Sequence, residues 1–237
     1  MKKAGKRNVR KTEIIHFYNK FIDEVTRKNY LKGYYERKRL KLFDNELSRI
    51  ECDSILDVGG GAGLLVPVLC KHTKALTETD IAPKMVDTAK RRYKNLKNVR
   101  IMKADGENLP FPDKSFDVVV SSEAIEHMLK PKKALKEFCR ICKKTILITT
   151  PNVFNKKSIL VRFVKLFHKT KESEQIQDEK VEIYRIKKVL ENNGFKITKL
   201  KGIYYPFVGE RVGNFLEKLN IIPSYASCLF IKAEVER

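Results

Sequence analysis

The stretch Ser54 to Gly63, SILDVGGGAG, constrains this chain more than any other. Ile55, Leu56 and Val58 make an apolar run interrupted by one acid, Asp57, as suits a buried parallel strand. Glycines at 59, 61 and 63 then allow the backbone to turn tightly and to approach a ligand closely. Leu64, Leu65, Val66, Val68 and Leu69 follow at helical density, so the loop is expected to open a helix whose free N–H groups face that ligand. Strand, glycine loop and helix in this order put a nucleotide-type cofactor at the carboxyl edge of a sheet. The dinucleotide fingerprint needs glycine or alanine at position 64, where this chain has Leu64, so the spacing argues against a nicotinamide cofactor.

The rest of the chain repeats that unit. Residues 1–11 carry six basic side chains and no acid and read as a flexible arm. Residues 12–50 read as a helical cap: Ile14, Phe17, Tyr18, Phe21, Ile22 and Val25 recur at helical spacing, and a second helix is expected from Tyr34 to Ile50. Residues 51–237 form the main domain. Ala75 to Thr79 is a short strand ending on Asp80, and Pro83 opens the next helix in its first turn. Asp80 lies 17 residues beyond Gly63, which allows a helix and a return strand to set its carboxylate beside the first loop, where it can accept both hydroxyls of a ribose. Val99 to Lys103, the FDVVV run and Thr145 to Thr150 supply further strands, with a helix from Lys132 to Cys142. Residues 152–182 read as a lid-like insertion. A helix stopped by Gly194, a strand from Phe195, a helix near Val208 to Leu219 and a last strand from Tyr225 to Val235 complete the chain.

Taken in order, DVGGGAG, TDIAPKMVDTAK and ADGENLPFPDKSFDVVVSS resemble the successive motifs of the class I S-adenosylmethionine-dependent methyltransferases, of the ubiquinone/menaquinone-biosynthesis type. The resemblance implies a Rossmann-like α/β fold: a seven-stranded, mostly parallel sheet with an antiparallel last strand and helices on both faces. It implies S-adenosylmethionine as the cofactor. Gly59, Gly61 and Gly63 would approach its methionine part and ribose, and Asp57 would organise the loop or bind the amino group. Asp80 would bind the ribose, Ile81 would pack on adenine, Asp105 would accept from the adenine amino group, Gly106 would allow close approach, and Ser121 would contact the methionine part. The chain departs from the pattern before the Thr145 strand, where CRICKKTILITTPN lacks the usual Gly-Gly turn.

Ser121 to Met128, SSEAIEHM, leaves the sheet beside the expected sulfonium. On a helical turn Glu123, Glu126 and His127 would share one face, and a histidine there is a candidate general base for an acceptor hydroxyl. The E-x-x-E-H arrangement also resembles small-RNA 2′-O-methyltransferases, which bind a divalent metal and need a further histidine; His168 is the available candidate. No metal site is assigned.

Composition sets the outer bounds. The 237 residues carry 50 basic and 29 acidic side chains, a formal net charge of +21. Such an excess favours polyanions, so RNA and an anionic membrane surface stand beside a small-molecule or lipid-like acceptor as partners. No apolar run is long enough to span a bilayer, and the basic start lacks the apolar stretch of a secretory signal. The five cysteines are scattered and odd in number, which reads as a reducing, cytoplasmic setting; Cys139 and Cys142 read as core. The expected activity is methyl transfer to oxygen or carbon of a small or lipid-like acceptor. RNA methylation, metal-assisted or not, and a non-catalytic scaffold on the same fold are the alternatives.

Overall fold

The computed structural model describes residues 11–27, 33–152, 182–203 and 226–236. Two helices, α1 (Lys11–Arg27) and α2 (Tyr34–Leu47), precede the sheet. Then come β1 (Ser54–Val58), α3 (Val66–Leu69), β2 (Ala75–Asp80), α4 (Pro83–Arg92), β3 (Val99–Lys103), β4 (Phe116–Ser122), α5 (Pro131–Ile141) and β5 (Cys142–Pro151). After them the described chain adds α6 (Ile183–Glu191), β6 (Phe195–Ile203) and β7 (Cys228–Val235). The strands form one seven-stranded sheet in the order β3-β2-β1-β4-β5-β7-β6, with β7 antiparallel to both its neighbours. Order reverses between β1 and β4, so the crevice at their carboxyl ends is the natural ligand site of such a sheet.

The central strands are apolar on both faces, and each face collects its own core. Leu56, Val58, Val119, Ile146 and Ile148 pack toward α5 and α6, where Leu135, Phe138, Cys139 and Leu190 are buried. Ile55, Leu76, Val118, Val120 and Leu147 pack on the other side against Phe43 and Leu47 of α2 and Val66 and Leu69 of α3. Phe43 is fully buried and meets Phe230 of β7 edge-on, with ring centroids 6.0 Å apart, which fixes the cap helix to the far half of the sheet.

Several boundaries differ from the sequence reading for physical reasons. The helix after the glycine loop is a single turn, Val66–Leu69, with Pro67 in its first turn and Leu65 O already accepting from Val68 and Leu69. It is too short for the expected ligand-facing terminus, and the loop's own backbone makes the cradle instead. Cys142 starts β5 rather than ending α5, because α5 runs into the strand with no intervening turn. All five cysteines are free, and Cys139 and Cys142 are core residues. The lid-like insertion from 153 to 181, with His168, and the helix near Val208 to Leu219 lie outside the described residues.

Candidate cofactor and acceptor site

A cavity of about 630 Å³ opens at the β1/β4 switch point and is roofed by α1 and α2. Its size suits a cofactor with a small acceptor beside it. One end is polar. Asp80, at the end of β2, accepts the N–H groups of Gly61 at 3.0 Å and Ala82 at 2.8 Å, so the strand end, the glycine loop and the start of α4 are tied to one carboxylate. Burial raises Asp80 to about 6, against the pull of those N–H groups. Ile81, Asp105 and Gly106 line the same end. Asp105 takes the N–H of Glu107 at 3.0 Å on Oδ1 and the ammonium of Lys11, from α1, on Oδ2. Lys11 also reaches Glu107 Oε2 at 3.1 Å, so α1 is latched over the position read as the adenine pocket.

The glycine loop forms the floor. Gly59 and Gly61 have φ of +76° and +63°, the left-handed region that side chains avoid. They differ in surroundings: a Cβ on Gly59 would meet Ala124 Cβ at 2.5 Å, whereas one on Gly61 would project into open cavity. Gly63 does not line the cavity; its backbone is covered by Tyr93, whose hydroxyl donates to Gly63 O at 2.6 Å. Asp57 lies beneath the loop, fully buried, with neither carboxylate oxygen hydrogen-bonded. Burial first, and the charge of Asp80 second, raise it to about 7.

The other end is aromatic and acidic. Phe17, Tyr18 and Phe21 of α1 and Tyr35 of α2 face Glu123, Glu126 and His127. The three polar residues share the cavity but not a helical face. Only Ile125–His127 is helical, as a 3₁₀ turn, and Glu123 precedes it at φ +51°, which swings its side chain away. Glu123 Oε1 accepts from the Cys228 thiol at 3.1 Å, and Glu126 Oε2 accepts from Thr150 Oγ1 at 3.3 Å. His127 Nε2 lies 3.7 Å from Glu126 Oε1, and its ring packs edge-on against Tyr18. Burial, reinforced by the charge of Glu123, pushes the Tyr35 phenol well above its usual range.

Ser121 is fully buried and donates to Val58 O at 3.1 Å; it is Ser122 that reaches the cavity wall. The sequence reading has Ser121 face the ligand; strand alternation puts 121 and 122 on opposite faces, and it is 122 that turns to the cavity. It also missed Arg39. From α2 this buried arginine reaches the cavity, stacks over the Tyr35 ring at 5.0 Å and approaches Ser122 Oγ at 3.5 Å, leaving Nε without a partner. In the string YYERKRLKL nothing distinguishes Arg39 from its solvated neighbours except the i, i+4 pairing with Tyr35. Among the described residues no cluster of histidines, cysteines or acids is arranged to hold a metal ion.

This sheet order, with a glycine loop and an acid at the end of β2 beside the switch point, is the fold of the class I methyltransferases. Residues 56–148 match the methyltransferase domain family. The uncharacterized methyltransferase YcgJ of Bacillus subtilis (strain 168) is 33% identical over 91 residues, covering 38% of this chain and 36% of the relative. The ubiquinone/menaquinone biosynthesis C-methyltransferase UbiE of Rickettsia massiliae (strain Mtu5) is 37% identical over 98 residues, 38% of this chain and 40% of its own length. The chain thus spans well under half the length of these relatives. Among solved structures, magnesium protoporphyrin IX methyltransferase of Synechocystis PCC 6803 with bound SAH superposes with a TM-score of 0.67 at 15% identity, covering 96% of this chain and 100% of the other. A SAM-dependent methyltransferase of Aquifex aeolicus gives 0.61 at 20%, covering 92% and 98%. The resemblance carried by the motifs is borne out, in fold and in the methyltransferase domain, and the cofactor it indicates is S-adenosylmethionine.

Proposed function

We propose that the protein is an S-adenosylmethionine-dependent methyltransferase acting on a small, aromatic or lipid-like acceptor through oxygen or carbon. The observation that carries this reading is the division of one cavity into a polar cofactor end and an aromatic-walled acceptor end. The residues fit the cofactor. Asp105 and Asp80 offer acceptors for its amino and ribose groups, Gly61 leaves room for it, and Arg39 at the cavity wall brings a positive charge for its carboxylate. When bound, the cofactor supplies an electrophilic methyl group on a sulfonium. The chain's task is to align an acceptor and exclude water. Phe17, Tyr18 and Phe21 hold an apolar ring system, and His127, with Glu126 close by, takes the proton that an acceptor hydroxyl loses as the new bond forms.

A quinone-type acceptor agrees with one of the named relatives, UbiE. The formal charge of +21 keeps RNA as the second reading, and contact with an anionic membrane surface agrees with a lipid-like acceptor in a cytoplasmic setting. No described helix is long and apolar enough to cross a membrane. Titration calorimetry with S-adenosylmethionine, followed by turnover assays on Asp80→Ala and His127→Ala, tests the assignment. Asp80→Ala weakens cofactor binding, whereas His127→Ala keeps binding and lowers turnover. A folded protein that takes up no cofactor at any pH would return the chain to the scaffold reading.

A further inference from the structure

Beneath the glycine loop lie two carboxyl groups that ordinary site chemistry leaves unexplained. Asp57 of β1 and Glu78 of β2 are directly paired across the parallel ladder, so their side chains stand on one face of the sheet. A Cβ on Gly60 would sit 2.8 Å from Asp57 Oδ2 and 2.9 Å from Glu78 Cδ, so both carboxyls crowd the underside of one residue. Both side chains are buried, and none of their four oxygens has a hydrogen-bond partner. Two adjacent, unpaired, desolvated carboxylates do not coexist with charge; protons stay on them. Of the two, only Asp57 borders the cavity, with its carboxyl oxygens covered by the loop at Gly60, and Glu78 does not line it.

We propose that Asp57 and Glu78 form a proton-bearing carboxyl pair beneath the loop, that Asp57 gives its proton to solvent when the cofactor's ammonium group arrives, and that Glu78 stays protonated behind it as a positioning residue. The inference rests on the cofactor assignment above. The proton balance is simple. The Asp57 O–H bond breaks and its proton leaves to buffer, while the ammonium keeps its three protons and becomes the partner of the new carboxylate. The surroundings agree. Burial and Asp80 raise Asp57 to about 7, with Arg39 of α2 opposing. Burial, then Asp57 and Asp80, hold Glu78 well above the usual carboxylate range, with Arg92 at the end of α4 opposing. Tyr93, packed beside Gly63 on the same side as Glu78, completes the set of titratable groups around the pair.

The account gives a distinctive pH dependence. Below about pH 7 the Kd for S-adenosylmethionine rises about tenfold per pH unit as Asp57 must first be deprotonated, and a further limb sets in near 6 where Asp80 titrates. Above roughly pH 8 affinity falls again as the ligand's own α-amino group loses its charge. Calorimetry with S-adenosylmethionine in two buffers of different ionisation heat reads the proton directly and needs no variant: release is about one proton or more at pH 6, where Asp57 is largely and Asp80 about half protonated, and it gives way to net uptake by pH 8, where the ligand's α-amino group must gain its proton. In Asp57→Asn the limb near 7 disappears and the limb near 6 remains. Glu78→Ala admits water beside Asp57 and moves the upper limb to lower pH, and Glu78→Gln, which mimics a neutral carboxyl, restores it. Binding that is flat from pH 5.5 to 8.5 with buffer-independent heat would overturn the proposal while leaving the cofactor assignment intact. A Glu78→Gln limb displaced as far as that of Glu78→Ala would refute the protonated role of Glu78. Absence of binding at every pH would instead remove the assignment on which the proposal rests.

Discussion

Replacing Gly59 and Gly61 separately by alanine should separate what the glycine loop does for the fold from what it does for the ligand. Both residues are left-handed, so each alanine costs about 1–2 kcal/mol in backbone strain. At Gly59 the new methyl also meets Ala124 Cβ at 2.5 Å. Neither group has a rotamer to escape through, and Ala124 is held between the strained Glu123 and the 3₁₀ turn. Overpacking of that kind adds about 1–3 kcal/mol, so Gly59→Ala should lose about 2–5 kcal/mol of stability in all. Gly61→Ala has nothing within 4 Å and should lose only the strain, but its methyl enters the space assigned to the cofactor. Urea denaturation monitored by circular dichroism gives the stabilities, and calorimetry with S-adenosylmethionine gives the affinities. Gly59→Ala is expected to be the less stable variant and Gly61→Ala the weaker binder relative to its stability. Equal losses of stability in the two variants, or a Gly61→Ala that binds as the wild type does, would refute the packing argument.

Lys11→Ala removes the ammonium that competes with an adenine amino group for Asp105; losing one charge-assisted bond of about 1.5 kcal/mol should raise cofactor affinity roughly tenfold, and unchanged or weaker binding would show that the latch assists rather than competes. Phe43→Ala empties a fully buried site against Phe230 and should cost about 3–5 kcal/mol in the same denaturation experiment. Asp57 and Asp80 keep protons in the folded state that the unfolded chain gives up near pH 4, so the ligand-free protein should lose stability as pH rises from about 4 toward 7, by up to about 1.4 kcal/mol per unit for each group. Asp57→Asn should flatten that slope; a slope of the opposite sign in the wild type would contradict the raised values.

What the sequence disclosed was local, and what it withheld was tertiary. The glycine loop could be read because it follows β1, whose apolar run marks a strand buried on both faces, and Asp80 and the Asp105-Gly106 turn because each ends a short strand at a fixed distance beyond it. The one-residue displacement from Ser121 to Ser122 shows the limit of that signal. A strand whose two faces are both buried does not say which serine faces the ligand. Glu123, Glu126 and His127 do meet in one cavity, but the helical spacing that predicted it is not how they meet, because Glu123 takes a left-handed conformation that no propensity suggests. Lys11 reads in the sequence as the end of the flexible arm but opens α1, and Arg39 stands in a helix whose charges look uniformly solvated; their placement over the cavity sets both apart. Glu78 was within reach of sequence reasoning. In ALTETD it is an acid in the middle of a strand expected to be buried, and an uncompensated carboxyl at such a position marks chemistry or a retained proton.

The central claim, that this cavity transfers a methyl group from S-adenosylmethionine to a small or lipid-like acceptor, is met most directly by incubating the purified protein with isotope-labelled cofactor and separate small-molecule, lipid and RNA extracts, then locating the label by mass spectrometry. The account predicts label in a small molecule or lipid, reduced in His127→Ala. Label confined to RNA, or none in any fraction from a protein that binds the cofactor, would contradict it.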